Sequence, residues 1–301
     1  MSVKVGRLSL KNPVLTASGT FGYGIEFLDF FDVGRLGGVI TKGLSLEPRR
    51  GNPSPRVFET PSGMMNAIGL ENVGLKAFAS SYLPGLKDLG VAVVVNFFGN
   101  TVDEYARMAA GLEELDGVDA VELNISCPNV KCGGISFGKE PGMAASVTEA
   151  VRKETKRTLI VKLSPASDVV EVARAVEAAG ADAVSCINTI PAMAIDINTG
   201  RPRLANVTGG LSGPAIRPVA VKMVYDVSKS VKIPVIGIGG IMSADDAIEF
   251  VMAGATAVQV GTATYTNPAA AEDILDGIED FCVRRKVTEF RSLVGSVRIG
   301  D

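Results

Sequence analysis

Histidine and tryptophan are both absent from this sequence. Without an imidazole there can be no histidine triad, no histidine metal site and no histidine general base, so any base must be Cys, Lys, Tyr or a carboxylate. Cysteine is scarce. Cys127, Cys132, Cys186 and Cys282 form neither the C-x-x-C pairs of a zinc or redox site nor a secreted disulfide framework, which fits a reducing cytoplasm. No apolar run reaches the roughly 18 residues of a membrane span, and Met1–Leu10, with Lys4 and Arg7, is too short in apolar run for a signal peptide. A soluble chain is expected. Charge of one sign is also lacking: 30 Lys and Arg stand against 33 Asp and Glu, which argues against a nucleic-acid surface and against disorder.

What the chain does have is length and apolar content. Its 301 residues are 47% hydrophobic, normal for one α/β barrel, so residues 1–301 are read as a single domain. Near-continuous apolar segments recur at Val14–Ser18, Gly38–Lys42, Val91–Asn96, Ala120–Asn124, Leu159–Leu163, Ala183–Ile187, Val235–Gly239 and Ala257–Val260. Such runs suit parallel strands buried on both faces. Helix-period stretches lie between them, at Val73–Leu89, Val102–Leu115, Met143–Lys156, Asp168–Ala179, Ile216–Ser230, Ala244–Met252 and Ala269–Val283, with a short one at Glu26–Asp32. Ser167 and Ser243 stand at N-cap positions, Gly180 and Gly254 at C′ positions. Eight strands each followed by a helix predict a single (β/α)8 TIM barrel. The long loops Gly43–Asn72, Ser126–Gly142 and Asn188–Pro214 all follow a strand and so belong to the C-terminal face, and Ser2–Leu10 reads as a small hairpin plugging the other end.

The strand ends carry Ser18, Lys42, Asn96, Asn124, Lys162, Asn188, Gly239–Gly240 and Gly261–Thr262. Two lysines and three asparagines converging on one rim exceed what loop composition alone supplies, which marks a functional rim. An isolated Gly-Gly is more simply a tight βα turn. Paired after strands seven and eight, however, the glycines occupy the usual phosphate position of a barrel, where backbone N–H groups and a helix N-terminus favour an anion. Ser212-Gly213-Pro214 could add a donor. Amide side chains supply both donor and acceptor and so suit a heterocycle edge. Lys162, inside Leu159-Ile160-Val161-Lys162-Leu163, cannot be a solvated surface group and needs a partner or a ligand. Cys186 within a strand reads as an inert small hydrophobe. Cys127, just past strand four, is the leading base candidate, because a free thiol near pKa about 8.5 gains thiolate character beside Lys⁺. Cys132 is left without a role.

The runs Thr16-Ala17-Ser18-Gly19, Thr41-Lys42-Gly43, Asn66-Ala67-Ile68-Gly69-Leu70-Glu71-Asn72, Asn124-Ile125-Ser126-Cys127-Pro128-Asn129, Ile187-Asn188-Thr189 and Gly239-Gly240 together resemble dihydroorotate dehydrogenase, over practically the whole chain. The Asn66–Leu70 stretch and Val130-Lys131-Cys132-Gly133-Gly134 look like the class 1B catalytic subunit; Cys127 stands where membrane-bound relatives use Ser. The resemblance implies one FMN per chain, held by Ser18, Lys42, Gly43, Asn96, Asn124, Lys162, Ile187, Gly213, Gly239, Gly240, Gly261 and Thr262. It implies that dihydroorotate contacts Lys42, Asn66, Ala67, Ile68, Gly69, Leu70, Asn124, Asn188 and Thr189, with Asn129 a weaker addition. The implied chemistry has Cys127 take a proton from C5 while hydride passes from C6 to flavin N5, giving orotate in pyrimidine (UMP) biosynthesis.

The chain shows neither a cysteine cluster for iron–sulfur nor a G-x-G-x-x-G fingerprint. The resemblance therefore implies a separate iron–sulfur flavoprotein subunit, carrying FAD and 2Fe–2S and delivering electrons to NAD⁺, in a heterotetramer around a homodimer, with no nucleic-acid or membrane partner. Three alternatives stay open at this level. One is a dihydropyrimidine dehydrogenase subunit acting on uracil or thymine, disfavoured because Lys42 and the Asn66–Leu70 amides suit a substrate carboxylate. The others are a flavin-free phosphate-binding lyase or isomerase using Lys162 as a Schiff base, and a barrel without catalysis.

Overall fold

Valine and isoleucine dominate the segments that become barrel staves, because a branched side chain packs well on a pleated surface buried on both sides. In the computed structural model, which describes residues 1–125 and 137–300 together with the backbone of 131–132 and 135–136, these segments close into an eight-stranded barrel. The strands are β1 (Val14–Thr16), β2 (Gly38–Ile40), β3 (Ala92–Phe97), β4 (Ala120–Asn124), β5 (Thr158–Lys162), β6 (Ala183–Cys186), β7 (Val235–Ile238) and β8 (Ala257–Val260). Each pairs in parallel with its neighbours in sequence, and β8 returns to β1. This is the predicted (β/α)8 architecture.

Around the barrel run α1 (Gly74–Ser81), α2 (Leu83–Lys87), α3 (Val102–Glu113), α4 (Pro141–Glu154), α5 (Val169–Ala178), α6 (Arg217–Ser230), α7 (Ala244–Ala253) and α8 (Ala270–Arg285). Three details differ from the sequence expectation. The single helix expected over 73–89 is broken at Tyr82, because Pro84 has no N–H for a helix interior and instead sits in the first turn of α2. The helix expected at Glu26–Asp32 is replaced by 3₁₀ turns at Ile25–Phe27 and Val33–Arg35, where Gly22 and Gly24 take positive φ and the Glu26 carboxylate accepts from the Tyr23 N–H. β1 is thus the one stave with no α-helix between it and the next stave. The cap of α5 is Asp168 rather than Ser167; its carboxylate accepts from the N–H groups of Val170 and Glu171, both at 3.1 Å, while the Ser167 hydroxyl donates to the Ser164 carbonyl. Ser243 does cap α7, in a reciprocal box with Asp246.

The N-terminal hairpin pairs Val3–Val5 with Leu8–Leu10. Val5 and Leu10 are buried, and Arg7 donates from its backbone to the Thr158 hydroxyl and from its guanidinium to the Lys156 carbonyl, which seats the hairpin under the N-terminal end of β5. At the opposite end, segments of two long loops meet. Ile190–Ala192, Gly209–Ser212, Gly63–Asn66 and Val57–Thr60 form one antiparallel sheet in that order. No helix among the described residues is long and apolar enough to cross a membrane.

Candidate active site

A cavity of about 500 Å³ opens at the C-terminal ends of the staves, roofed in part by that antiparallel sheet. It gathers Ser18, Lys42, Gly43, Asn96, Asn124, Lys162, Ile187, Gly239, Gly240, Gly261 and Thr262 from the strand ends, and Asn66, Ala67, Ile68, Gly69, Leu70, Asn188 and Thr189 from the loops. Gly213 is not among the lining residues; it lies behind Gly240, where its carbonyl would be 2.6 Å from a Cβ on that glycine. Cys127, Asn129 and the side chain of Cys132 lie outside the described residues.

Beneath the cavity floor is a fully buried carboxylate that sequence reasoning did not single out. Glu122 on β4 accepts from Asn96 Nδ2 of β3 at 2.6 Å, from the Ser185 hydroxyl of β6 at 2.8 Å and from Gln259 Nε2 of β8 at 2.7 Å. β4 and β8 are on opposite sides of the ring, so these side chains meet across the lumen. Lys162 Nζ stands 3.7 Å from Glu122 Oε1, which supplies the partner that a buried ammonium requires. Because a carboxylate only accepts, Asn96 must turn its NH₂ inward. That leaves Asn96 Oδ1 buried, on a residue lining the cavity, with no hydrogen-bond partner. A buried acceptor left in this way fits a ligand that carries an N–H.

The anion side of the cavity is also open. Among the described residues no carboxylate pairs with the half-buried Lys42. The backbone N–H groups of Gly240, Gly261 and Thr262 have no protein acceptor among those residues. The α7 terminus, by contrast, is already used: Asp246 accepts from the N–H groups of Met242 and Ser243, and it pairs with Arg217. The expected contribution of that helix end to anion binding is thereby reduced, and the free donors are those of the glycine turns. Gly240 takes φ +75° with the Gly213 carbonyl and Arg217 packed against it, so a side chain there is excluded on both counts. Gly43 is needed for proximity, since a Cβ would fall 2.8 Å from Asn96 Oδ1.

The Asn66–Leu70 segment is held from below. Asn52, which also lines the cavity, donates from its side chain to the Ala67 carbonyl and from its backbone to the Ile68 carbonyl, both at 2.9 Å. Asn72 donates to the Leu70 carbonyl at 2.9 Å and accepts from the Gly74 and Ser45 N–H groups. These anchors hold Gly69 and Leu70 at consecutive positive φ of 80° and 59°, a conformation a non-glycine residue adopts only when its surroundings impose it. Tyr105 of α3 donates its hydroxyl to the Asn124 carbonyl at 2.8 Å, bracing the end of β4. Among the described cysteines, Cys186 and Cys282 are buried and burial pushes both thiols up, so neither is suited to proton abstraction.

A family model described as Dihydroorotate dehydrogenase matches residues 1–282. The chain is 59% identical over 298 residues to the Dihydroorotate dehydrogenase B (NAD(+)), catalytic subunit of Trichlorobacter lovleyi, covering 99% of this chain and 98% of that protein. It is 55% identical over 300 residues to the protein of the same name from Geotalea daltonii, with the same coverage. With that from Thermodesulfovibrio yellowstonii it shares 52% over 299 residues, covering 99% of each chain. The likeness runs from the N-terminal hairpin through the barrel and its loops, so this chain belongs to the dihydroorotate dehydrogenase family.

Proposed function

We propose that this protein, read as one barrel domain over residues 1–301, oxidises (S)-dihydroorotate to orotate in pyrimidine biosynthesis, with FMN held at the barrel mouth. The observation that carries the reading is a single cavity that combines an unpaired buried amide oxygen, two lysines and a set of free backbone N–H groups. The donor set fits FMN: the N–H groups of Gly240, Gly261 and Thr262 suit its phosphate, while Asn96, Asn124 and Lys162 suit the polar edge of its ring. Ser18, Gly43, Ile187 and Gly239 complete the lining, and Gly213 acts from behind it. FMN, when bound, supplies the hydride acceptor of a carbon–carbon dehydrogenation.

The chain's own residues do the remaining work. Lys42 and the Asn66–Leu70 amides neutralise the substrate carboxylate, and Asn124, Asn188 and Thr189 orient the pyrimidine ring. Cys127, close in sequence to the end of β4, takes the C5 proton; its assignment rests on sequence resemblance and on the absence of histidine. The relatives' names carry the words "catalytic subunit" and "NAD(+)", which supports a second subunit as the exit for electrons. We read that subunit as an iron–sulfur flavoprotein with FAD and 2Fe–2S, passing electrons to NAD⁺ in a cytoplasmic heterotetramer built on a catalytic homodimer.

The test is anaerobic stopped-flow reduction of the purified, flavin-loaded protein. Dihydroorotate is expected to bleach a stoichiometric FMN while dihydrouracil does not. Protein that cannot be loaded with FMN, or that prefers dihydrouracil, overturns the reading.

A further inference from the structure

We propose that Glu122 is a positioning residue of this site: a carboxylate in the barrel lumen that fixes how Asn96 and Lys162 face the cofactor and, through its charge, sets the balance between oxidised and reduced flavin. The proposal rests on the FMN reading above and goes beyond it, because Glu122 is fully buried and does not line the cavity.

A carboxylate in an apolar lumen is costly, and an uncharged side chain would fill the same space with less desolvation. What only the carboxylate provides is an acceptor for every neighbour at once. It takes bonds from Asn96, Ser185 and Gln259, and Lys162 stands beside the oxygen that Asn96 also uses. No amide in its place can do this, since its NH₂ would oppose one of those donors and release Asn96 to rotate. The buried, unpartnered Asn96 Oδ1 is the direct consequence: with its nitrogen held by Glu122, the amide turns its oxygen toward Gly43, which lines the cavity. The second consequence is electrostatic. Glu122 offsets part of the Lys162 charge at the cavity floor, and reduced flavin carries negative charge that oxidised flavin lacks, so the pair acts unequally on the two states.

The test uses the full chain with Glu122→Gln, which keeps shape and removes the charge, and measures oxidised FMN binding by fluorescence quenching together with the midpoint potential of the bound flavin. Oxidised FMN is expected to bind at least about tenfold more weakly. The ratio of reduced to oxidised affinity is expected to rise about tenfold, which for a two-electron couple is an upward shift of about 30 mV. Ser185→Ala keeps the charge but removes a donor that disperses it, so it moves the ratio the opposite way, about two- to tenfold. Should Glu122→Gln fail to fold, Ser185→Ala decides alone. A purely structural Glu122 would lower the melting temperature in both variants and leave the affinity ratio unmoved, and that result overturns the proposal. Wild-type protein that binds no FMN would instead sink the reading on which it rests.

Discussion

The two ends of the barrel treat polar groups in opposite ways. At the N-terminal end most are consumed internally, the buried Arg157 Nε being an exception that faces Glu113 at 3.5 Å without a hydrogen bond. Arg157 donates to the carbonyls of Glu113, Leu115 and Val118, Arg152 pairs with Asp182 at 2.7 Å, and the same Asp182 oxygen accepts from the Leu159 N–H. At the C-terminal end, valences are left open: Asn96 Oδ1, the ammonium of Lys42 and the N–H groups of Gly240, Gly261 and Thr262 lack protein partners among the described residues. An unmet buried polar group costs free energy, and although isolated ones occur elsewhere, at Arg157 Nε and Gln259 Oε1, only the cavity gathers such an acceptor together with several half-buried open donors, as a ligand site requires. The lower end is therefore built for stability and the upper end for a ligand, as barrels in general divide these roles.

The largest effect that would break this contrast is expected at the mouth. Cys127→Ala should retain FMN yet slow its reduction by dihydroorotate by roughly 10² to 10⁴, the usual contribution of a positioned base. Anaerobic stopped-flow absorbance measures it, and an unchanged reduction rate removes Cys127 from the role. Lys42→Ala comes next. Loss of a charged hydrogen-bond donor to a substrate carboxylate is worth about 1.5 to 3 kcal/mol, so KM for dihydroorotate should rise about ten- to a hundredfold while the melting temperature holds. A melting temperature that falls with KM unchanged would make Lys42 structural and erase the difference between the ends.

Arg157→Met tests the other end and should give the mirror image. The stem still packs, but three carbonyls lose a charged donor and Glu113 loses its cation. Stability should fall by about 1 to 3 kcal/mol, seen as a lower urea midpoint, with KM for dihydroorotate unmoved. A raised KM without loss of stability would show that the lower end reaches the site.

The staves were readable from sequence because each is a short β-branched run whose chemistry is local. Lys162 was readable for a related reason: a charge within Leu159–Leu163 is anomalous by itself. The same test applied to Ala120-Val121-Glu122-Leu123-Asn124 would have exposed Glu122, and the two-residue spacing to Asn124 places both side chains on one face of the strand. Gln259 gives a weaker signal, since an amide in Ala257–Val260 carries no charge to betray it. The sheet over the mouth was not legible at all. Its pairing of Met64 with Ser212 joins glycine-rich segments of two separate loops, each too short to reveal a strand period. The break at Tyr82 was legible in principle, since Pro84 stands within the helical pattern and apolar periodicity alone outweighed it.

The smallest expected effect is a pH dependence confined to the lower end. Glu113 is partly buried, which by itself raises its pKa, but the Thr155 hydroxyl donating at 2.5 Å, the backbone N–H groups of Lys156 and Arg157 and the Arg157 charge outweigh that and hold it below the ordinary 4.5. A carboxyl whose pKa is lower folded than unfolded adds stability that is fully present above the unfolded value and is lost as pH falls through the folded one. Wild-type stability relative to Glu113→Gln should therefore be constant from neutral pH down to about pH 5 and shrink below 4.5. Urea unfolding of both proteins across that range reads the difference. A gap that does not narrow in acid would mean that Glu113 contributes through packing and not through its charge, and the polar closure of this end would then rest on Arg157 and Asp182 alone.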